Sequence, residues 1–292
     1  MTVDGKKIAE VLEARLKDAV VASHKQLRLG IVLATNDPAT QAFVRKKEEF
    51  GKRIGVDVRV YNEMENAVSA RRLRDRVSEL TGISENSALI VQLPLPEAVG
   101  NVQKVLNAVV PEKDADMLSA RSIGDFTVGT SDTMPPVVGA IQEIFKQEKV
   151  FSNLAGIKVV VIGAGPVAGR PVSQWLIHEG AAVTVVTKET AHEDITYYTK
   201  TANLIIACAG SPGLVTGDMV KDDVVAIDVG VTKIDGKFKG DFDFDSVAPK
   251  AKLITPPIGG IGPIVVAKVF ENVLRLNEIK IAHIQFTSAT WG

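Results

Sequence analysis

Residues 157–171 read IKVVVIGAGPVAGRP, and the fold follows from them. Val159, Val160, Val161 and Ile162 form an apolar, largely β-branched run, the pattern of a strand buried on both faces. The run ends on Gly163-Ala164-Gly165, with Gly169 four residues on. Glycines so placed allow a tight turn and let backbone N–H groups approach a pyrophosphate at the start of the next helix. PVSQWLIHEGA (171–181) has a helical pattern, and AAVTVVT (181–187) is a second strand. Strand, glycine turn, helix and strand together describe a dinucleotide-binding unit. The competing explanation is a packing turn in an α/β domain that holds no ligand.

Working outward, KVVVIG, AVTVVT, ANLIIACAG, VVAIDVG and KLITPP supply five strands separated by helices or loops, a Rossmann-like series. The N-terminal part has a similar rhythm. KKIAEVLEARLKDAVVA (6–22) places Ile8, Leu12, Leu16 and Ala19 on one helix face, LRLGIVLAT (27–35) is a strand, and Asp37-Pro38 is the core of a turn. A helix from Thr40 to Ile54 follows. Next come a strand GVDVRVYN, a helix over 66–80, a strand SALIVQLPLP (87–96) and a helix VQKVLNAVV. SIGDFTVGTSDTMPP (122–136) has the composition of a boundary loop, and VVGAIQEIFKQEKV that of a connecting helix. PPIGGIGPIVVAKVFENVLRLNEI (256–279) is a Gly/Pro loop entering a long amphipathic helix. The expectation is two α/β domains with a cleft between them. The first spans residues 1–139 and is rejoined by a C-terminal helix over 264–292. The second, over 140–263, is the Rossmann-like domain.

The 292 residues are 46% hydrophobic and 24% charged, with a formal net charge of −1. No bulk basic field points to nucleic acid or an anionic membrane. The single cysteine, Cys208, lies in the apolar run LIIACAG and has no intrachain disulfide partner; a buried, inert thiol is expected. No N-terminal leader pattern and no apolar stretch of about 18 residues is present, so the chain reads as cytoplasmic, with no membrane partner.

Several polar residues stand out. Lys47 follows Phe43 by four positions on the 40–54 helix, so the two share a face. Its neighbours Arg45 and Lys46 read as solvated surface. Gln92 is a lone polar residue at the C-terminal end of an apolar strand, where ligands of open α/β sheets bind; capping a loop explains it equally well. Asp116, in PEKDADM, is on its own a solvated turn residue or an N-cap. Asp228 ends the strand VVAIDVG and either borders a nicotinamide pocket or caps the strand. Gly259, Gly260 and Gly262 let backbone pass close to a ligand or simply pack a tight connection. Asp241, Asp243 and Asp245 alternate in GDFDFDS, which an exposed face of a short extended segment explains without a metal. His24, His178, His192 and His283 have no metal-ligand spacing and suit surface or helix-end positions. No metal site is expected.

Taken together, NDPATQAFVRKKEEFGKRIGV, VQLPLP, PEKDAD, the strand–glycine unit, AIDVG, GDFDF and ITPPIGGIGPIVVA resemble the bifunctional methylenetetrahydrofolate dehydrogenase/methenyltetrahydrofolate cyclohydrolases, in order and spacing across nearly the whole chain. The resemblance implies a folate-binding first domain, a nicotinamide cofactor on the second and a homodimer. By it, Lys47, Gln92 and Asp116 match the catalytic lysine, the glutamine at the reacting region and the aspartate that holds the pterin. Phe43, Gly259, Gly260 and Pro263 fall to the substrate. Gly163, Ala164, Gly165, Gly169, Arg170, Lys188, Asp228 and Gly230 fall to the cofactor.

The chain also departs from that family. Phe43 stands where the family has tyrosine, which removes a hydroxyl beside Lys47 and puts the cyclohydrolase step at risk. Met117 replaces a glycine, Ile258 a proline and Val265 a threonine, and MPPVVG (134–139) replaces a Pro-Cys-Thr-Pro-x-Gly run. Gly163-Ala164-Gly165 lacks the arginine that the family associates with the 2′-phosphate of NADP. Lys188 and Arg170 are the remaining phosphate candidates, whereas Glu189 follows the usual logic for NAD. NADP is expected, with NAD its rival. Two other readings fit parts of the sequence: a catalytically degenerate paralogue that binds a nucleotide or pterin, and another two-domain dehydrogenase of shikimate type.

Overall fold

The computed structural model describes residues 1–281 apart from Asp235. In chain order the elements begin with α1 (Gly5–Ser23), β1 (Arg28–Leu33), α2 (Pro38–Ile54), β2 (Asp57–Asn62), α3 (Ala70–Gly82), β3 (Ala88–Val91), α4 (Val102–Leu106) and α5 (Ala120–Thr127). They continue with α6 (Pro136–Glu148), β4 (Lys158–Ile162), α7 (Gly169–His178), β5 (Ala182–Val186), α8 (His192–Thr199), β6 (Leu204–Ala207) and β7 (Val224–Asp228). The last are β8 (Val231–Ile234), β9 (Lys237–Gly240), α9 (Phe244–Val247), β10 (Ala251–Ile254) and α10 (Ile261–Leu276). The chain divides into two compact units. Among the described residues, one holds Glu10–Pro136 and residues 266–281, the other Met1–Ala9 and Val137–Val265. Among the described residues no helix is long and apolar enough to cross a membrane.

The first unit is built on a parallel sheet of order β2-β1-β3, with Ile31 of β1 opposite Val60 and Ile90. Parallel neighbours need crossover connections, and α2 and α3 supply them. Leu73, Val77 and Leu80 of α3 pack against Leu89, Val91 and Val105, all buried. Asp37 is an N-cap rather than a turn centre: its carboxylate accepts from Thr40 N at 2.7 Å, and Pro38 occupies the first turn of α2. A proline there loses no helical hydrogen bond. Gly55 closes the helix in the left-handed region at φ 84°. The expected loop over 122–136 is half helix. Ser119 accepts from Ser122 N and starts α5, where the glycine and threonine content masked an N-cap.

The second unit carries the five strands expected of it, all parallel, in the order β10-β7-β6-β4-β5. From β4 the chain moves one way to β5 and then the other way to β6, so the order reverses between β4 and β6. Ligands of open α/β sheets bind outside the carboxyl ends of the strands at such a switch point. Two features were not expected. Strands β8 and β9 pair antiparallel, Val231 opposite Gly240 and Ile234 opposite Lys237, in the stretch VTKIDGKFKG whose sequence carries an Asp-Gly turn signal. The first nine residues belong to this unit: Val3 N donates to Ile254 O at 2.9 Å and Thr2 bridges Ile254 in parallel. α10 ends at Leu276; residues 282–292, His283 among them, lie outside the described residues.

Candidate active site

Lys47 is 2% exposed although it stands on the same helix as the exposed Arg45 and Lys46. Its Nζ donates to Gln92 Oε1 at 3.0 Å, lies 4.0 Å from Asp116 Oδ2, and sits 5.1 Å from the centre of the Phe43 ring. Burial lowers the Lys47 pKa below the usual lysine value, and the Asp116 carboxylate only partly opposes it. The structure therefore gathers four of the anticipated residues in one unit: Phe43, Lys47, Gln92 and Asp116. Helical spacing sets the first pair. Gln92 follows β3, anchored by its N–H on Val32 O at 2.9 Å, while its Nε2 donates to Leu93 O at 2.8 Å. With Nε2 so engaged, Oε1 faces the lysine.

Asp116 owes its place to residues that sequence reasoning missed. Asp114, two positions earlier, is buried, and its carboxylate accepts from Ser119 N at 2.8 Å, Ser122 Oγ at 2.7 Å and Leu118 N at 3.3 Å. Burial raises its pKa against those hydrogen bonds. Asn272 of α10, also buried, donates from Nδ2 to Ala115 O at 2.9 Å and to Met134 O at 2.8 Å. Met117 takes φ 58°, a left-handed value that glycine adopts more cheaply. It is held there by burial and by a hydrogen bond from Thr133 Oγ1 to its sulfur. A lone asparagine in the apolar run AKVFENVL was the available signal for Asn272. Asp116 itself stays partly open, its side chain 19% exposed beside the 3% exposed lysine side chain. The cluster offers a neutralisable amine, an amide and an accessible carboxylate.

The cofactor candidates gather at the carboxyl edge of the five-stranded sheet. Gly163 follows β4 at φ 102°, and a Cβ there would come within 2.7 Å of Cys208 O, beyond β6. A Cβ at Gly169 would strike Gly163 O, so this glycine lets α7 pack on the turn. At Gly165 a Cβ would meet nothing within 4 Å. That glycine answers no packing demand of the chain, and the space above it is open to a ligand. α7 has no side-chain N-cap, since Ala168 holds that position. An uncapped helix start beside an open glycine suits a dinucleotide pyrophosphate. Arg170 Nε donates to Ala164 O at 3.0 Å, which ties the guanidinium to the same loop. Lys188 lies in the loop after β5, fully solvated, 3.7 Å from Glu189.

Asp228 ends β7 and is 2% exposed. Its carboxylate accepts from Asp241 N at 3.2 Å and Phe242 N at 3.1 Å, so its atoms serve the following loop. Burial first, and then the nearby Asp241, push its pKa up to about 7 against those hydrogen bonds. A Cβ at Gly230 would strike the Asp241 carboxylate. Asp241, expected on an exposed face, is fully buried and accepts backbone donors through both oxygens. Cys208 is half-buried, and burial together with Asp241 and Asp228 pushes its thiol up to about 12. It is therefore a poor nucleophile. Gly259, Gly260 and Pro263 follow β10 in this unit. Gly259 takes the left-handed φ of 75° and its O accepts from Gly5 N at 2.9 Å, while a Cβ at Gly260 would strike Pro256 O, so the first glycine meets a backbone need and the second a packing need. His24 follows α1, His178 ends α7 and His192 starts α8, the helix-end places expected. Among the described residues no group of three or more His, Cys, Asp or Glu is placed to hold a metal ion.

Residues 3–116 match the family model of the tetrahydrofolate dehydrogenase/cyclohydrolase catalytic domain, and residues 135–281 that of its NAD(P)-binding domain. A relative from Exiguobacterium sibiricum, bifunctional protein FolD, is 34% identical over 278 residues, covering 94% of this chain and 98% of its own. Among solved structures, the bifunctional methylenetetrahydrofolate dehydrogenase/cyclohydrolase FolD from Campylobacter jejuni superposes with a TM-score of 0.88 at 30% identity, covering 95% of this chain and 98% of its own. The Trypanosoma brucei enzyme, complexed with NADP and an inhibitor, gives 0.87 at 29%, covering 95% and 97%.

Proposed function

The chain belongs to the tetrahydrofolate dehydrogenase/cyclohydrolase family, and on that premise we propose that it oxidises 5,10-methylenetetrahydrofolate to the 5,10-methenyl form with NADP and hydrolyses that product to 10-formyltetrahydrofolate. The observation that carries this reading is the buried Lys47, hydrogen-bonded to Gln92 with Asp116 at 4.0 Å. A degenerate descendant has no structural need for a buried amine of lowered pKa, because taking it out of water is costly.

Asp116 is the pterin anchor. Its partly open carboxylate accepts two N–H donors from the amino-pyrimidinone edge, a bidentate pairing that also sets orientation. The Phe43 ring offers a face for stacking. When bound, the nicotinamide supplies a hydride acceptor for the methylene carbon. The chain contributes alignment of the two reactants, and neither Lys47 nor Gln92 has to gain or lose a proton. Hydrolysis does need proton traffic. Water adds to the methenyl carbon and Lys47 as the free amine removes one of its protons; the same lysine returns that proton to the ring nitrogen as the carbon–nitrogen bond opens, and the remaining hydroxyl proton leaves to solvent as the formyl C=O forms, the one net proton released. An amine of lowered pKa suits both directions near neutral pH.

For the cofactor, Gly163, Gly165 and Gly169 receive the pyrophosphate, and Arg170 with Lys188 pairs the 2′-phosphate in place of the arginine missing at Ala164. The segment expected over residues 1–139, apart from the first nine residues and Val137–Gly139 that cluster with the nucleotide unit, acts with the C-terminal helix as the folate domain, and 140–263 as the nucleotide domain. β5 is an edge strand with Val185 exposed, which suits a homodimer paired along it in the cytoplasm. Sedimentation equilibrium tests the dimer. For the activity, following methenyl formation and its hydrolysis separately is the test. Absence of oxidation with NADP and NAD alike would overturn the reading.

A further inference from the structure

Asp241 is an acidic side chain, fully buried and outside the chemistry proposed above. Its Oδ2 accepts from Ala209 N at 2.6 Å and Gly210 N at 3.1 Å, and its Oδ1 from Ser211 N at 2.6 Å. Three successive backbone N–H groups directed at one carboxylate form a concave anion-binding arrangement, here filled by the chain's own side chain. Gly210 enters the left-handed region, at φ 65°, to make it.

The loop so gathered leaves the carboxyl end of β6, one of the two strands at the switch point. The other, β4, leads into Gly163, whose turn packs against Cys208 O at the start of the same loop. Asp241 is fixed in turn: its own N–H and that of Phe242 donate to Asp228 at the end of β7. Gly230 and Gly240 lack the Cβ atoms that would strike the Asp241 and Asp228 carboxylates respectively. A tether therefore runs from β7 through Asp228 and Asp241 to residues 209–211.

We infer that Asp241 is a positioning residue for the dinucleotide, holding the 209–211 backbone in the shape that forms one wall of the cofactor site. The inference rests on the proposed function. Asp241 touches neither reactant and acts through the loop. Its loss therefore weakens dinucleotide binding and leaves the hydrolysis of preformed methenyltetrahydrofolate, which uses no dinucleotide, in place.

The test is Asp241→Asn in the full chain. Its amide nitrogen would face an N–H donor and forfeit at least one hydrogen bond. The expected result is a rise of about tenfold or more in the KM for NADP, and a matching loss in NADPH affinity by fluorescence titration. The KM for methylenetetrahydrofolate and the hydrolysis rate should stay within about twofold. The tenfold loss corresponds to about one hydrogen bond. An unchanged NADPH affinity, or equal losses in oxidation and hydrolysis, would overturn the inference. If Asp241→Asn does not fold, Gly210→Ala decides the matter. That position is exposed, a Cβ there meets only Thr232 Oγ1 at 4.0 Å, and the cost falls on the left-handed backbone alone. It should weaken NADPH binding severalfold, and unchanged binding would overturn the inference. A wild-type chain that neither oxidises nor hydrolyses its folate substrates overturns the proposed function instead.

Discussion

Replacing Lys47 by methionine separates chemistry from stability. The lysine is 2% exposed, with one hydrogen bond, to Gln92, and a carboxylate at 4.0 Å. At that separation the attraction is about 4 kcal/mol for an effective dielectric of about 20. The ammonium's desolvation costs several kcal/mol, so the two nearly cancel. Methionine fills a similar volume without that cost but leaves Gln92 Oε1 without its donor, worth about 1–3 kcal/mol. The expected stability of Lys47→Met in urea unfolding is therefore within about 2 kcal/mol of wild type. A buried pair that serves structure loses about 3–5 kcal/mol when one partner goes. Hydrolysis of methenyltetrahydrofolate, followed by its absorbance, should fall at least about 100-fold, the lower range for loss of an acid–base group. The pH dependence has a definite sign. Because the folded pKa of Lys47 lies below its unfolded value, the unfolded chain binds more protons between the two. Stability should rise with pH across that window in wild type, and Lys47→Met should abolish the rise. A loss above about 3 kcal/mol with hydrolysis kept within tenfold would refute the reasoning.

Three further outcomes are expected. Phe43→Tyr places a hydroxyl beside the Lys47 amine, now 5.1 Å from the ring centre, and should raise methenyl hydrolysis severalfold while oxidation changes little; equal rates would count against a proton-handling lysine. Arg170→Ala should raise the KM for NADP about tenfold and leave that for NAD unchanged, the loss expected of one charge-assisted phosphate contact; parallel changes would remove Arg170 from 2′-phosphate recognition. Asp228 has its folded pKa at about 7, above its unfolded value, so the folded chain binds the extra proton between about pH 4 and 7. Its contribution to stability is full at the acid end and is lost as pH rises through 7. Asp228→Asn should flatten that decline in thermal unfolding, and an unaltered slope would refute the assignment.

The nucleotide unit was legible because its strands are apolar runs with a glycine turn between them, signals carried by adjacent residues. Lys47 was not legible from its own helix, where it sits beside two solvated cations. Its partners Gln92, after β3, and Asp116, in the 111–117 turn, lie distant in sequence; helical spacing tied it only to Phe43, and the family resemblance supplied its role. Asp241 shows the converse. Alternation in GDFDFDS suggested an exposed face, yet the first of its aspartates is buried because β6 ends in a loop whose N–H groups need an acceptor. Asp37 was misjudged more locally. An Asp-Pro pair carries turn and N-cap signals at once, and the structure uses it as a cap.

The central claim meets its most direct test in one assay. Purified protein is mixed with 5,10-methylenetetrahydrofolate and NADP or NAD, and methenyl absorbance is followed at acid quench and in real time. The account predicts methenyl formation that depends on the dinucleotide, is faster with NADP, and is followed by slower decay to the 10-formyl product. No methenyl product with either dinucleotide would contradict it.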